Sequence, residues 1–295
     1  MVLKFINNKN EFHNIKEVAK SYFHMSDKLI VKLKNKQKIL LNQKRAKITD
    51  TILENDLVEF DLNYDEESEN IVATKMNLDI VFEDESLLIL NKPPHIPVHP
   101  SINHYEDSLS NGVKYYFDEI NLHKKIRPVN RLDKDTSGLV VFAKNEYIQE
   151  NLIRQMKRKE FKKEYIAVLD GILPNKKDTI SAPIDRKNRS IIEREINFEN
   201  GQEAITYYQV LKEENNLSLV QFTLETGRTH QIRVHSKYLG APIIGDSLYH
   251  KTSNLIDRQA LHAFKIEFIH PVLKKKISFE TKIPKDIQNI FNSHN

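Results

Sequence analysis

The feature that most constrains the fold is an apolar run beside a crowded charged turn, within residues 127–144 (RPVNRLDKDTSGLVVFAK). Residues 139–143 have the composition of a strand that is buried on both faces of a sheet. Gly138 can adopt the positive φ that closes such a turn. A loop residue beside a buried strand is held rigidly, which favours chemistry, but a plain charged hairpin turn explains the pattern equally well. The charged residues of the turn are Arg131, Asp133, Lys134 and Asp135.

A second unusual string begins about a hundred residues later. Residues 225–235 read ETGRTHQIRVH, and residues 239–246 read LGAPIIGD. The strings RLDKDTSGLVVFAK and GRTHQIRVH closely resemble the motifs of the RluA-type pseudouridine synthases. Shorter similarities to the same family are NKP…VHP at residues 91–100, K-x-Y-x-A at 163–167 and RQ-x-LHA at 258–263. The resemblance spans residues 77–282, with its segments in the family's order.

The resemblance implies a site built on an aspartate. Asp133 would be the nucleophile, Arg233 its cationic partner, and Tyr165 the ring that lies against the target base. A carboxylate in an apolar pocket tends to take up a proton, whereas a guanidinium beside it keeps it ionised. The chemical requirement and the family pattern therefore agree on the ion pair. A tyrosine in a strand is otherwise more often a core residue.

Five further residues are expected to bind the substrate. Arg131 would contact RNA near the everted nucleotide, and Leu261 would line the uracil pocket. Lys92 begins a proline-rich segment, which is either the rim of the site or an ordinary surface loop. Asn130 stands where the family commonly has His, and its amide cannot carry a charge or shuttle a proton. The fifth of these residues is Arg228.

The amino-acid composition excludes some classes of protein and argues against others. The absence of cysteine excludes disulfides, thiolate metal sites and cysteine nucleophiles. The 12 histidines lack ligand spacing, so no metal is expected. No apolar run is long enough to span a membrane and the N-terminus lacks an apolar leader, which together predict a cytoplasmic protein. Uridine isomerisation requires no cofactor, and the sequence carries no Walker or GxGxxG motif.

Positive charge is clustered, although the net charge is only +4. Residues 28–47 and 154–163 each carry a run of lysines and arginines, which is typical of contact with a polyanion. A solvated lysine-rich surface explains either cluster equally well. The family resemblance implies an RNA partner, most often ribosomal RNA and alternatively transfer RNA. We expect a monomer.

Two domains are expected. Residues 1–76 contain two short helical patterns, the second capped by Ser26-Asp27, and two strands, and they resemble the αL-type RNA-binding module. The acidic residues 63–70 are the best candidate linker. Residues 77–295 would form an α+β domain whose mixed, largely antiparallel sheet is flanked by helices. Thr229 is expected to cap a helix that carries Arg233.

The sequence thus predicts an RNA pseudouridine synthase. One alternative is a non-catalytic RNA-binding protein or RNA-folding chaperone on the same scaffold. Another is a metal-dependent nuclease that uses Asp133 and Asp135 as ligands. The intact set of Asp133, Tyr165 and Arg233 favours the synthase, because binding alone does not require a nucleophile.

Overall fold

The first 62 residues form a small sheet with helices against it; the computed structural model describes residues 1–66, 68 and 70–292. The strand order is β1-β4-β2-β3, and the pairs are antiparallel. The first strand was not predicted from the sequence, whereas the Ser26 cap was: its hydroxyl accepts from the Leu29 N–H at 3.1 Å. The elements are β1 (Val2–Ile6), α1 (Ile15–Glu17) continued by a π-helical turn (Val18–Tyr22), α2 (Asp27–Asn35), β2 (Ile39–Leu41), β3 (Lys44–Arg45) and β4 (Leu57–Asp61).

A nine-stranded sheet dominates the rest of the chain. Only one of its neighbouring pairs is parallel, so the predicted mixed, largely antiparallel sheet is confirmed. A separate two-stranded hairpin lies outside this sheet. The large sheet contains β5 (Ile80–Glu83), β6 (Leu87–Lys92), β7 (Ser137–Ala143), β8 (Lys162–Asp170), β9 (Lys177–Ser181), β12 (Ile205–Glu214), β13 (Leu217–Leu224), β14 (Leu261–Ile269) and β15 (Lys276–Glu280); the hairpin contains β10 (Ile184–Arg186) and β11 (Arg194–Ile196).

The strand order places three strands from distant parts of the chain side by side. The order is β5-β6-β7-β14-β8-β13-β12-β9, and β15 pairs with β14. Strand β14 runs parallel to β7 and antiparallel to β8. The loop before β7, the face of β8 and the start of β14 therefore meet near the middle of the sheet.

Within the described residues, four helices accompany the large sheet. The helix that carries Arg233 begins at Gln231, directly after His230 in a left-handed conformation with φ 59°. No side chain caps this helix, so the predicted Thr229 cap is wrong. The Gln231 side chain organises the turn instead, since its oxygen accepts from the Arg228 N–H at 2.9 Å. The helices are α3 (Leu109–Glu119), α4 (Glu146–Lys157), α5 (Gln231–Tyr238) and α6 (Lys285–Asn292).

Hydrophobic cores lie on both faces of the sheet. Every residue of β7 is buried, as its unbroken apolar run predicts. Alternate residues point to opposite faces: Val140 and Phe142 belong to the core that includes residues of α3, whereas Leu139 and Val141 belong to the core that includes the first 62 residues and α4. The N-terminal segment thus shares one core with the large sheet.

The predicted linker is anchored where the structure describes it. Tyr64 is buried, and the Glu66 carboxylate accepts from the Lys32 ammonium at 2.6 Å and from the Arg127 guanidinium at 2.8 Å. Glu67 and Glu69, which also belong to that prediction, lie outside the described residues. None of the helices in the described ranges is long and apolar enough to cross a membrane.

Candidate active site

The loop that carries Asp133 is fixed from several sides. The Asp133 carbonyl accepts from the Thr136 N–H at 3.1 Å, which closes the turn. Gly138 has a φ of 118°, as predicted, and a Cβ atom there would lie 2.2 Å from the Ala263 carbonyl oxygen. Asn130 ties the loop to β7, because its amide donates to the Leu139 carbonyl at 3.0 Å and accepts from the Val141 N–H at 2.9 Å.

The predicted pair of Asp133 and Arg233 is present and forms part of a triad. Arg233 Nη1 donates to Asp133 Oδ2 at 2.9 Å. Its Nε and Nη2 donate to the two carboxylate oxygens of Asp246, each at 2.7 Å. The Asp246 side chain is completely buried, whereas that of Asp133 is 28% exposed. The Arg233 guanidinium therefore binds the buried Asp246 carboxylate with one edge and the partly exposed Asp133 carboxylate with Nη1.

The surroundings of Arg233 keep its guanidinium charged. Burial alone would lower the pKa of Arg233, but its hydrogen bonds to Asp246 and the charge of Asp133 raise that pKa above its ordinary value. Arg233 is thus charged at every physiological pH. Its guanidinium places a positive charge 2.9 Å from Asp133 Oδ2.

A neutral histidine lies beside this pair. Burial lowers the pKa of His230, and the charge of Arg233 acts in the same direction, although Asp133 opposes it. His230 Nε2 is 3.7 Å from Asp133 Oδ2, and its Nδ1 is 2.8 Å from the Tyr249 hydroxyl. The Tyr249 ring also lies under the Arg233 guanidinium, 5.0 Å from centroid to Cζ. Tyr249 therefore supports both groups that face Asp133.

Asp133, Arg233 and His230 line an open cavity. Tyr165 is buried on β8, and burial raises the pKa of its phenol, so the hydroxyl stays protonated. Leu261 begins β14 and faces the same space. The cavity thus combines an exposed carboxylate with apolar and aromatic walls, as a binding site for a flat base requires. Six of the eight predicted site residues line it: Arg131, Asp133, Tyr165, Arg228, Arg233 and Leu261.

Two predicted site residues do not line the cavity. Asn130 is buried behind the loop, as described above. Lys92 is fully buried, and its ammonium donates to the carbonyls of Pro93, Ile96 and Lys134 at 2.7–2.8 Å. Burial lowers the pKa of Lys92 to about 7, although the charge of Asp135 acts in the opposite direction. Both residues hold the backbone around Asp133 instead of facing the cavity.

Sequence reasoning missed the residues behind the site. Asp246, His230 and Tyr249 all contact the Asp133–Arg233 pair or its supports. Asp246 could have been sought from the sequence. A buried arginine that pairs with one carboxylate still has donors on the other edge of its guanidinium, and these need a second carboxylate. Arg258 was also missed as a support: it is buried and donates to the carbonyls of Asp135 and Leu261, each at 3.2 Å.

The two aspartates of the nuclease hypothesis have different partners. Asp133 binds Arg233, whereas Asp135 lies 3.1 Å from His95. Across residues 1–66, 68 and 70–292, no three His, Asp or Glu side chains are grouped as metal ligands. The geometry is that of a carboxylate paired with a guanidinium.

Known proteins that are similar to this chain are RNA pseudouridine synthases. The model of a family described as RNA pseudouridylate synthase matches residues 86–238. The uncharacterized RNA pseudouridine synthase YhcT of Bacillus subtilis (strain 168) is 37% identical over 291 residues, which cover 98% of this chain and 96% of that protein. Ribosomal large subunit pseudouridine synthase D of Blochmanniella floridana is 34% identical over 237 residues, 75% of this chain and 74% of that one.

A solved structure agrees with the sequence matches. The structure of human RNA pseudouridylate synthase domain containing 1 aligns with a TM-score of 0.58 and 28% identity, over 70% of this chain and 83% of that one. The chain therefore belongs to the RNA pseudouridylate synthase family, in its RluA-type branch, whose members are enzymes that isomerise uridine in RNA. The family and the fold predicted from the sequence are both confirmed.

Proposed function

We propose that this enzyme converts uridine to pseudouridine in large-subunit ribosomal RNA, with Asp133 as the nucleophile. The observation that carries the proposal is the Asp133–Arg233–Asp246 triad at the wall of the cavity. A relative at 34% identity is named for the large ribosomal subunit, which supports this RNA as substrate. We also propose that the enzyme works in the cytoplasm, as a monomer.

Each cavity residue receives a role in this proposal. Asp133, paired with Arg233, attacks either the base or the ribose of the everted uridine, and the bond between N1 and C1′ breaks. The base then rejoins the ribose through C5, and the bond to Asp133 breaks to restore the free carboxylate. C5 loses its hydrogen as a proton and N1 takes up a proton, so the product is an isomer of the substrate. Tyr165 stacks on the base, a contact worth about 1–3 kcal/mol, and Leu261 packs against it. Eversion from the RNA stack costs a few kcal/mol, which contacts from Arg131 and Arg228 at the rim offset.

Residues 1–76 are proposed as an RNA-binding module, and residues 77–295 as the domain that performs the chemistry. Helix α2 presents several lysines, and Lys28, Lys32 and Lys36 line one groove with Lys125 and Arg127. Glu146 and Glu150 line the same groove, so five cations stand against two acids. This concentration of cations suits the phosphate backbone of RNA.

The test is to map pseudouridine in ribosomal RNA from cells with the gene, without it, and with Asp133→Asn. We expect at least one large-subunit uridine to be modified only when the wild-type gene is present. Asn keeps the size of the side chain but is no nucleophile. Pseudouridine formed equally well by the Asn variant would refute the role of Asp133, and an unchanged map in the deletion strain would refute the substrate.

A further inference from the structure

A polar cleft adjoins the catalytic cavity and shares one wall with it. Arg228 lines both spaces. The rest of the cleft is formed by the β10–β11 hairpin and by the loop that precedes α5. Its cationic lining residues are Arg186, Arg194 and Arg228, and we call it the arginine cleft.

The arginines of this cleft lack acidic partners. In the described part of the chain, no carboxylate lies within ion-pair distance of Arg186, Arg194 or Arg228. Arg228 donates only to neutral oxygens, the Glu203 carbonyl at 2.8 Å and Gln202 Oε1 at 2.9 Å. Asp185 also lines the cleft, and its Oδ1 accepts from the Arg186 backbone N–H at 2.6 Å. The cleft therefore keeps an excess of positive charge.

The hairpin places two of these charges directly opposite each other. Arg186 pairs with Arg194 in the antiparallel register of β10 and β11. Side chains at opposed positions share one face of the strands, and like charges there are destabilising. An anionic ligand would relieve this repulsion.

The cleft is tied mechanically to the catalytic triad. The Arg194 N–H donates to the Tyr249 hydroxyl at 2.8 Å, and the same hydroxyl lies 2.8 Å from His230 Nδ1. The Tyr249 ring in turn lies under Arg233. Arg194 is thus held at a set position relative to Asp133.

We propose that the arginine cleft binds a backbone phosphate of the RNA strand next to the uridine in the catalytic cavity. This inference rests on the proposed function, because the ligand is the same RNA. A guanidinium fork matches the geometry of phosphate oxygens and is the preferred side chain for this contact. The bound phosphate fixes the register of the strand, while Tyr165 and Leu261 hold the base.

The test compares Arg186→Gln combined with Arg194→Gln against Lys275→Gln as control. Lys275 is exposed in the β14–β15 turn, at the other end of β14 from Leu261. Its substitution removes one positive charge, as the single variant Arg186→Gln does. Binding of an unmodified large-subunit ribosomal RNA transcript is measured across a series of KCl concentrations, with thermal unfolding as a check on folding. Arg186 is itself exposed, so its single variant provides a second measurement without disturbing the core.

We expect the double variant to bind about tenfold more weakly than the wild type at low salt. The slope of log K against log[KCl] should become shallower by about 0.7–0.9 for each lost phosphate contact. The control should keep the wild-type slope. A double variant with the wild-type slope, or wild-type binding that does not depend on KCl, would overturn the inference.

Kinetics separate this inference from the proposed function. The double variant should raise KM about tenfold and leave kcat within about twofold, because a phosphate contact is made equally in the ground and transition states. An unchanged KM in an active enzyme would overturn the cleft alone. A wild-type protein that makes no pseudouridine, yet shows the expected change of salt slope, would overturn the proposed function and leave the cleft supported.

Discussion

Arg233 uses both edges of one planar group. Its Nε and Nη2 bind Asp246 in the interior, and its Nη1 reaches Asp133 in the cavity. Lysine has one compact ammonium on a flexible chain and cannot reproduce this fixed arrangement. The orientation of the charge toward Asp133 therefore depends on the shape of the guanidinium as well as on its sign.

For this reason we predict that Arg233→Lys lowers kcat by roughly 10²–10³-fold, the range seen when one preorganised donor is removed from an active site. Single-turnover conversion of uridine in a ribosomal RNA transcript measures the effect. The substitution Lys275→Gln serves as the control and should retain wild-type turnover. Wild-type kcat in the lysine variant would show that only the charge matters.

At the scale of single residues, the sequence predicted the Asp133–Arg233 pair but not Asp246, which holds Arg233 in place. Asp133 and Arg233 could be matched because a buried nucleophilic carboxylate needs a cation, and each lies in a distinctive string. Asp246 follows Gly245 in the second string, yet nothing local shows which edge of the guanidinium it binds. His230 adopts a left-handed conformation, which is enriched in histidine but still uncommon, so its presence in the string did not indicate this turn.

The segment after β6 shows how a loop without regular structure is held in place. Four prolines between residues 93 and 100 prevent a helix or strand, so the backbone carbonyls there need other donors. The Lys92 ammonium donates to the carbonyls of Pro93 and Ile96, and also to the carbonyl of Lys134, which follows Asp133. One buried cation thereby connects two loops.

We predict that Lys92→Met lowers the free energy of unfolding by about 2 kcal/mol, because three buried carbonyls lose their donor while no charge remains to be buried. Urea unfolding followed by circular dichroism measures the change. Lys134→Met makes the same chemical change at an exposed position and should stay within about 0.5 kcal/mol of the wild type. Equal losses in the two variants would contradict the bridging role of Lys92.

Strands and helices with a strong hydrophobic pattern could be predicted from the sequence, whereas the residues at which they begin and end could not. The apolar run before Lys144 predicts β7, which the structure contains. Helix α4 begins after Asn145, whose side chain caps it by accepting from the Ile148 N–H at 3.0 Å. Thr229 failed as a cap because Gln231 satisfies the turn from inside the helix. The edge strand β1 was missed, since its five residues (VLKFI) become a strand only through pairing with β4, more than fifty residues away.

Across the whole molecule, buried polar groups bind distant segments together. His262 on β14 is fully buried between Ser137, 2.9 Å from its Nδ1, and Thr281, 2.9 Å from its Nε2. Burial lowers the pKa of His262 to about 4, and the charge of Arg258 acts in the same direction. The imidazole is therefore neutral in the folded protein down to that pH.

This shift makes stability depend on pH in a defined window. The unfolded chain binds a proton at His262 near pH 6.5, whereas the folded chain does so only near pH 4, so stability falls as the pH drops between these values. We expect the group to contribute about 3 kcal/mol to that fall. Urea unfolding from pH 7 to pH 4 should show a flatter profile for His262→Gln. Parallel profiles for the variant and the wild type would contradict this, and exposed His13→Gln is the control.

The shared core between the first 62 residues and the large sheet has a geometric consequence. Leu139 and Val141 of β7 belong to the same hydrophobic core as the N-terminal segment, and β7 follows the Asp133 loop after only three residues. Under the proposed function, an RNA element bound by the lysines of α2 would therefore stand at a constant distance from Asp133. That fixed distance would let the enzyme select uridines by their separation from a docked part of the RNA.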